Sequence, residues 1–131
     1  MSQEDIEVVR RSFEAWNEGD VDAIRRCYTE DVVVETGITG FGRTFRGHDA
    51  IERWAEEMQE TWAEVHWEIE RILEAGDVLV TFHRGTAVGR QSGVEVVREL
   101  TTLFRVRGGK IASEGIFLDR EEALQAAGLS E

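Results

Sequence analysis

One carboxylate in this sequence is placed where acid–base chemistry could arise. Alternation along the last strand-like stretch puts Glu114, Ile116 and Leu118 on the same side as Leu100, Thr102 and Phe104 of the stretch before it. That side is otherwise apolar. A carboxylate there loses hydration, its pKa rises, and it enters the range useful to a general acid or base near neutral pH. The same position also suits a structural ion pair, with Arg84 or Arg98 as the inward partner. Both readings place Glu114 partly buried with an arginine near it.

The other reactive side chains point to structural roles. His48 sits in Gly47-His48-Asp49 ahead of a helical pattern, where capping is its ordinary function. His66 falls on the polar side of its alternation, and His83 falls on the outer side of the next unless a bulge turns it inward. No histidine pair has helical ligand spacing and no cysteine joins them, so no metal is expected. The single cysteine, Cys27, has no disulfide partner and reads as a small core residue. There is no phosphate-cradling loop, Gly-x-Ser-x-Gly elbow, Rossmann glycine set or Cys-His nucleophile pair, so no cofactor is expected.

Elements of two different periods must position these groups. Ser2 and Asp5 have the spacing of a capping box, after which Ile6, Val9, Phe13 and Trp16 recur at helical spacing. Gly19 ends that helix and Asp20 caps a second, which buries Val21, Ile24 and Tyr28. The β-branched run Val32–Val34 reads as a short strand, and Thr36 to Gly47 as a loop rich in glycine. Asp49 opens a third helix whose apolar stripe is Ile51, Trp54, Ala55, Met58 and Trp62. From Val65 the period becomes two, and the break at Ile72-Leu73 suggests a bulge. Glycine-bearing turns at residues 75–77, 89–93 and 108–109 then separate four strands, and Asp119 caps a short tail helix. The order ααβαββββ plus a C-terminal helix predicts one α+β domain over residues 1–131, with helices segregated to one side of the sheet. Proline is absent, so long strands can bend at bulges, wrap the third helix and leave a cavity.

Composition narrows the partners. A formal net charge of -12 opposes binding to nucleic acid or anionic lipid, both of which need clustered Lys and Arg. No apolar run is long enough to span a membrane, and the opening Met-Ser-Gln-Glu-Asp has neither the basic nor the apolar region of a signal peptide. A cytoplasmic location is expected.

Several segments, in order, resemble a known family. Ala15-Trp-Asn-Glu-Gly-Asp-Val-Asp-Ala-Ile24 is similar to the opening hairpin of SnoaL-like and ketosteroid-isomerase-like proteins of the nuclear-transport-factor-2-like superfamily. Asp31-Val-Val-Val-Glu35, Arg46-Gly-His-Asp-Ala-Ile51 and Leu103-Phe-Arg-Val-Arg-Gly-Gly-Lys-Ile111 continue the likeness in register. It implies a cone-shaped, curved, mixed but mostly antiparallel sheet wrapped around the long third helix. It further implies a pocket for a small apolar molecule and a homodimer through the outer sheet face. Apolar residues on both parities support that dimer, since the helices cover only one face. The pocket wall is expected to include Tyr28, Trp54, Met58, Trp62, Phe82, Arg84, Leu100, Thr102, Phe104, Ile116 and Leu118. Such a wall suits flat molecules of the polyketide or steroid kind. The isomerase positions for base, tyrosine and acid donor fall on Thr36, Ser12 and Thr102, so that chemistry is not retained. A one-residue slip would place Glu35 at the base position, although a charge ending an edge strand explains Glu35 equally. The resemblance to polyketide cyclases leaves Glu114 as the other catalytic candidate. A non-catalytic ligand binder and a protein-interaction module are the alternatives.

Overall fold

The structure, a computed structural model, describes residues 2–36 and 43–129, with Ser2 described for its backbone only. The expected Ser2 cap and the glycines at 37, 40 and 42 therefore lie outside the described residues. Helix α1 (Ser2–Glu18) and α2 (Val21–Arg26) form a hairpin across Gly19, whose φ of 67° is the left-handed value a tight helix exit requires. Asp20 caps α2 by accepting from the Ala23 amide at 3.1 Å. Strand β1 (Tyr28–Thr36) and β2 (Arg43–Arg46) lead into α3 (Gly47–Thr61). The meander β3 (Trp62–Ala75), β4 (Val78–Gly89), β5 (Glu95–Arg107) and β6 (Lys110–Phe117) follows, and α4 (Arg120–Ala126) closes the chain behind its Asp119 cap.

All six strands join one curved sheet in the order β2-β1-β6-β5-β4-β3. Every neighbouring pair is antiparallel except β1 and β6, which run parallel. Helix α3 packs on β1 and β2 at one edge of this sheet and on β3 at the other. One helix can touch both edges only if the sheet curls around it. Bulges in β3 and β5 accommodate the bend.

Three local expectations change. Tyr28 starts β1 rather than ending α2, because the Ile111 amide donates to the Cys27 carbonyl at 2.8 Å and draws the chain into the ladder with β6. Residues 43–46, expected in a loop, pair with β1, and only Phe45 among them is buried. Four residues with charged ends carry too little alternation to reveal a strand. Trp62 begins β3 rather than ending α3, which puts its indole where helix and sheet meet.

The largest correction concerns β4. Its ladder sets Leu79 opposite Phe104, Thr81 opposite Thr102 and His83 opposite Leu100. The odd-numbered residues of β4 therefore face the helices, and Val80, Phe82 and Arg84 face outward. Val78, Val80 and Phe82 bury against Leu124 of α4 as a second, separate core. Apolar residues of both parities are thus accounted for partly by this chain's own tail helix.

Candidate functional site

Between α1, α3 and the inner sheet face lies a cavity of about 510 Å³. All four indoles of the chain, Trp16, Trp54, Trp62 and Trp67, line it. Trp54 stacks on Phe45 with centroids 4.9 Å apart and leans on Trp16 at the same separation, so the wall is held by ring contacts. Trp67 lies across Gly85, its ladder partner. A Cβ at Gly85 would come within 2.3 Å of the indole, so only glycine leaves the ring its place. Asn17 fixes the same strand by accepting from the Trp67 amide at 2.6 Å and donating to its carbonyl at 2.8 Å.

Glu114 enters this apolar space from β6 and is 7% exposed. Tyr28, wholly buried on β1, donates its hydroxyl proton to Glu114 Oε1 at 2.8 Å and accepts from Trp16 Nε1 at 2.9 Å. The relay runs indole, phenol, carboxyl, and each donor has one acceptor. Burial pushes the Glu114 carboxyl up from its ordinary 4.5 to about 7, with the Tyr28 hydrogen bond pulling the other way. Burial, and then the neighbouring Glu114 charge, hold the Tyr28 phenol well above its ordinary value. Near neutral pH the carboxyl is thus divided between its acid and its base form, while Tyr28 remains a donor.

A second polar pair stands farther along the wall. His83, 5% exposed, bonds through Nε2 to Thr102 Oγ1 at 2.8 Å. Phe13 and Trp67 present edges to its ring at 4.9 and 5.4 Å. Burial lowers its pKa from 6.5 to about 4, so it is neutral across the physiological range.

The structure gathers Glu114, Tyr28, Trp54, Met58, Trp62, Leu100, Thr102, Phe104 and Ile116 around the cavity. It does not bring Phe82, Arg84, Leu118 or Glu35 there. Phe82 packs under α4 with the Arg120 guanidinium 4.2 Å above its ring. Arg84 is on the outer surface between Glu70 and Glu99, at 3.9 and 3.6 Å. Both were misplaced by the β4 register. Leu118 lies beyond the end of β6 and is exposed. Glu35 is exposed on the outer face, one residue from buried Thr36, because β1 alternates there. The arginine expected beside Glu114 is replaced by Tyr28; among the described residues no guanidinium forms an ion pair with it. Arg98 instead stands exposed on the cavity wall.

Sequence reasoning missed Trp16, Trp67 and Phe45 as wall residues and His83 as a polar one. The indoles carried a signal, since both sat on correctly identified apolar stripes. His83 carried none, because β4 is apolar on both parities. Ser12 and Thr36 also line the cavity, the Ser12 hydroxyl donating to the Val9 carbonyl at 2.6 Å. Among the described residues no three His, Cys, Asp or Glu side chains are placed to hold a metal ion. No helix among them is long and apolar enough to cross a membrane.

Comparison with solved structures returns the same architecture. A Catenulispora acidiphila protein of ketosteroid isomerase-like fold, solved with trimethylamine, is 22% identical, with a TM-score of 0.79 over 94% of this chain and 93% of that one. A Mycobacterium tuberculosis epoxide hydrolase of the LEH-like kind is 22% identical, with a TM-score of 0.75 over 88% and 83%. A putative SnoaL-like polyketide cyclase from a Jannaschia species is 19% identical, with a TM-score of 0.76 over 95% and 90%. At these identities the likeness is one of fold. No curated protein gives a significant match to the sequence. The SnoaL-like domain model, however, matches residues 9–114, most of the chain, and the protein belongs to the SnoaL-like domain family.

Proposed function

We propose that the chain binds a small, largely apolar molecule in its internal cavity and that Glu114 exchanges a proton with it. The observation carrying this reading is the placement of one buried carboxyl, poised near pH 7, in a cavity walled by four indoles. Flat apolar skeletons fit such a wall through ring contacts, and the carboxyl supplies a single polar anchor. Tyr28 occupies Oε1, so the ligand meets the other carboxyl oxygen. In its acid form Glu114 donates to a carbonyl, hydroxyl or ether oxygen; in its base form it accepts from an acidic C–H or O–H. The similar structures named an epoxide hydrolase and a polyketide cyclase favour this class, since ring opening and ring closure both move a proton at an oxygen. Tryptophan fluorescence titrated with flat aromatic compounds tests the binding; an unchanged spectrum across a broad panel would end the proposal. Carboxyl-carbon NMR tests the proton exchange, and titration of Glu114 in the ordinary carboxylate range would remove its acid–base role.

The expected homodimer keeps a narrower basis. Beside α4, the outer face carries a groove of about 650 Å³ lined by Val33, Leu103, Phe117 and Leu118 together with charged residues such as Glu35, Arg105 and Glu122. Val97 on β5 and Leu118 are 49% and 47% exposed. A second copy of the chain laid on this face would cover them. Light scattering at micromolar concentration should give twice the chain mass; the monomer mass alone would count against it.

A further inference from the structure

The cavity opens to solvent where its lining residues become exposed, at Arg43 of β2, Glu57 and Thr61 of α3, and Arg98 of β5. The two cations on this rim differ in what they hold. Arg43 Nη2 donates to both oxygens of Glu57, at 3.1 and 3.4 Å, and its guanidinium lies 4.6 Å from the centre of the Phe45 ring. Arg98 holds no carboxylate. Among the described residues its side chain makes one hydrogen bond, from Nη1 to the carbonyl of its own neighbour Val97 at 3.4 Å, a length at which such a bond is weak.

Strand parity puts Arg98 on the rim. Even-numbered residues of β5 face the helices, and Val96, Leu100, Thr102 and Phe104 all line the cavity. Arg98 shares that face, opposite Gly85, across which the Trp67 indole lies. Glu99, the next residue, turns to the outer face and meets Arg84. The carboxylate beside Arg98 in the chain is thus on the other side of the sheet, and the one on the rim belongs to Arg43. A chain with 27 acidic residues against 15 basic ones leaves this cation without a carboxylate.

We infer that Arg98 is an anion-recognition residue at the cavity mouth, and that the molecule bound carries a carboxylate or similar acidic group at one end of its apolar body. This rests on the binding proposal above and adds a charge requirement to it. The planar guanidinium offers paired N–H donors that match the two oxygens of a carboxylate. Glu114 is opposite Phe104, six residues along β5 from Arg98, which is roughly 20 Å between backbone positions. The acid end and the end that meets Glu114 are therefore opposite ends of the ligand. The protein's net charge of -12 repels anions, so a preference for an anion over its neutral analogue has to come from a local group.

The test compares naphthoate with naphthamide substituted at the same ring position, two probes of nearly equal shape that differ in charge. Tryptophan fluorescence is read at about pH 6, where the Glu114 carboxyl mostly keeps its proton. Wild-type protein in low salt should bind naphthoate about fivefold tighter than naphthamide, and added salt should shrink the preference because the mouth is exposed. Arg98→Gln should bring the two affinities together and keep that for naphthamide. Arg84→Gln removes the same charge from the outer face and should leave the preference intact. The Nε NMR signal of Arg98 in the unmodified protein should shift with naphthoate and stay nearly still with naphthamide; this readout decides the matter if the variant fails to fold. Equal affinities in the wild type, a preference that survives Arg98→Gln, or one lost equally in Arg84→Gln overturns the inference while the cavity proposal stands. If neither probe binds, both fall.

Discussion

The two faces of the sheet bury apolar residues in different ways. On the outer face, Val78, Val80 and Phe82 meet Leu124 directly. On the inner face, rings packed against each other surround a space of about 510 Å³, and Glu114, Tyr28, Thr102 and His83 are buried beside it. The outer arrangement can only stabilise. The inner one gives up packing and carries the desolvation of three titratable groups, Glu114, Tyr28 and His83, and the binding proposal rests on both features. Two neighbouring carboxylates show the contrast in miniature. Glu114 pairs with Val34 in the ladder, and Glu35 is the next residue along β1. One step along a strand turns the side chain to the other face, so Glu114 is buried and Glu35 is exposed.

The contrast can be broken most directly by truncation on each side. Leu124→Ala removes packed volume from the outer core and should cost about 3–4 kcal/mol in urea unfolding, whereas Met58→Ala enlarges an existing space and should cost less than about 1 kcal/mol. Equal losses would mean that the inner face is packed like the outer.

The next largest effect is in the pH dependence, where the two buried groups act with opposite sign. Glu114 has a folded pKa of about 7 against an ordinary 4.5, so between these values the folded chain holds a proton that the unfolded chain has released. Its contribution to stability falls as pH rises through that window, by about 3 kcal/mol in all. His83, near 4 against 6.5, takes up its proton first in the unfolded chain, so its contribution falls as pH drops from 6.5 to 4. The two slopes oppose each other where the windows overlap. Glu114→Gln should therefore gain about 3 kcal/mol on the wild type between pH 4.5 and pH 8. A stability difference that does not change with pH would show that Glu114 titrates normally.

Smaller again is Tyr28→Phe, which strips the relay of its middle member. The Trp16 indole N–H then lacks its acceptor, at a cost of about 1–2 kcal/mol. Loss of the phenol's hydrogen bond should also move the Glu114 carboxyl further upward, visible by carbon NMR; a downward move would contradict the assigned donor direction. Arg84→Ala should do least, within about 0.5 kcal/mol, because its pairs with Glu70 and Glu99 are long and exposed. It should leave ligand affinity untouched, and a clear drop would return Arg84 to the cavity.

Much of the architecture was written locally. Helical spacing in Ile6, Val9, Phe13 and Trp16, the Asp20 and Asp119 caps, and the turn at Gly108 and Gly109, both with positive φ, all depend on neighbours in the chain. The inward Glu114 was legible because it shares its parity with Ile116 and its partner strand is apolar on one parity around Leu100 to Phe104. What failed was β4. A strand covered on both faces has no polar side to mark its orientation, so Phe82 and Arg84 were turned inward and His83 outward.

By itself, then, the sequence determined the order of the elements apart from β2, the acidic surface, the apolar stripes and a carboxylate among them, because each depends on residues within one turn or one strand of one another. The tertiary structure alone decided which parity of β4 faces the cavity, that α4 covers the outer core, and that Tyr28 rather than an arginine meets Glu114. Tyr28 and Glu114 are 86 residues apart. Contacts of that kind are fixed by strand register and sheet curvature, and no local pattern encodes them.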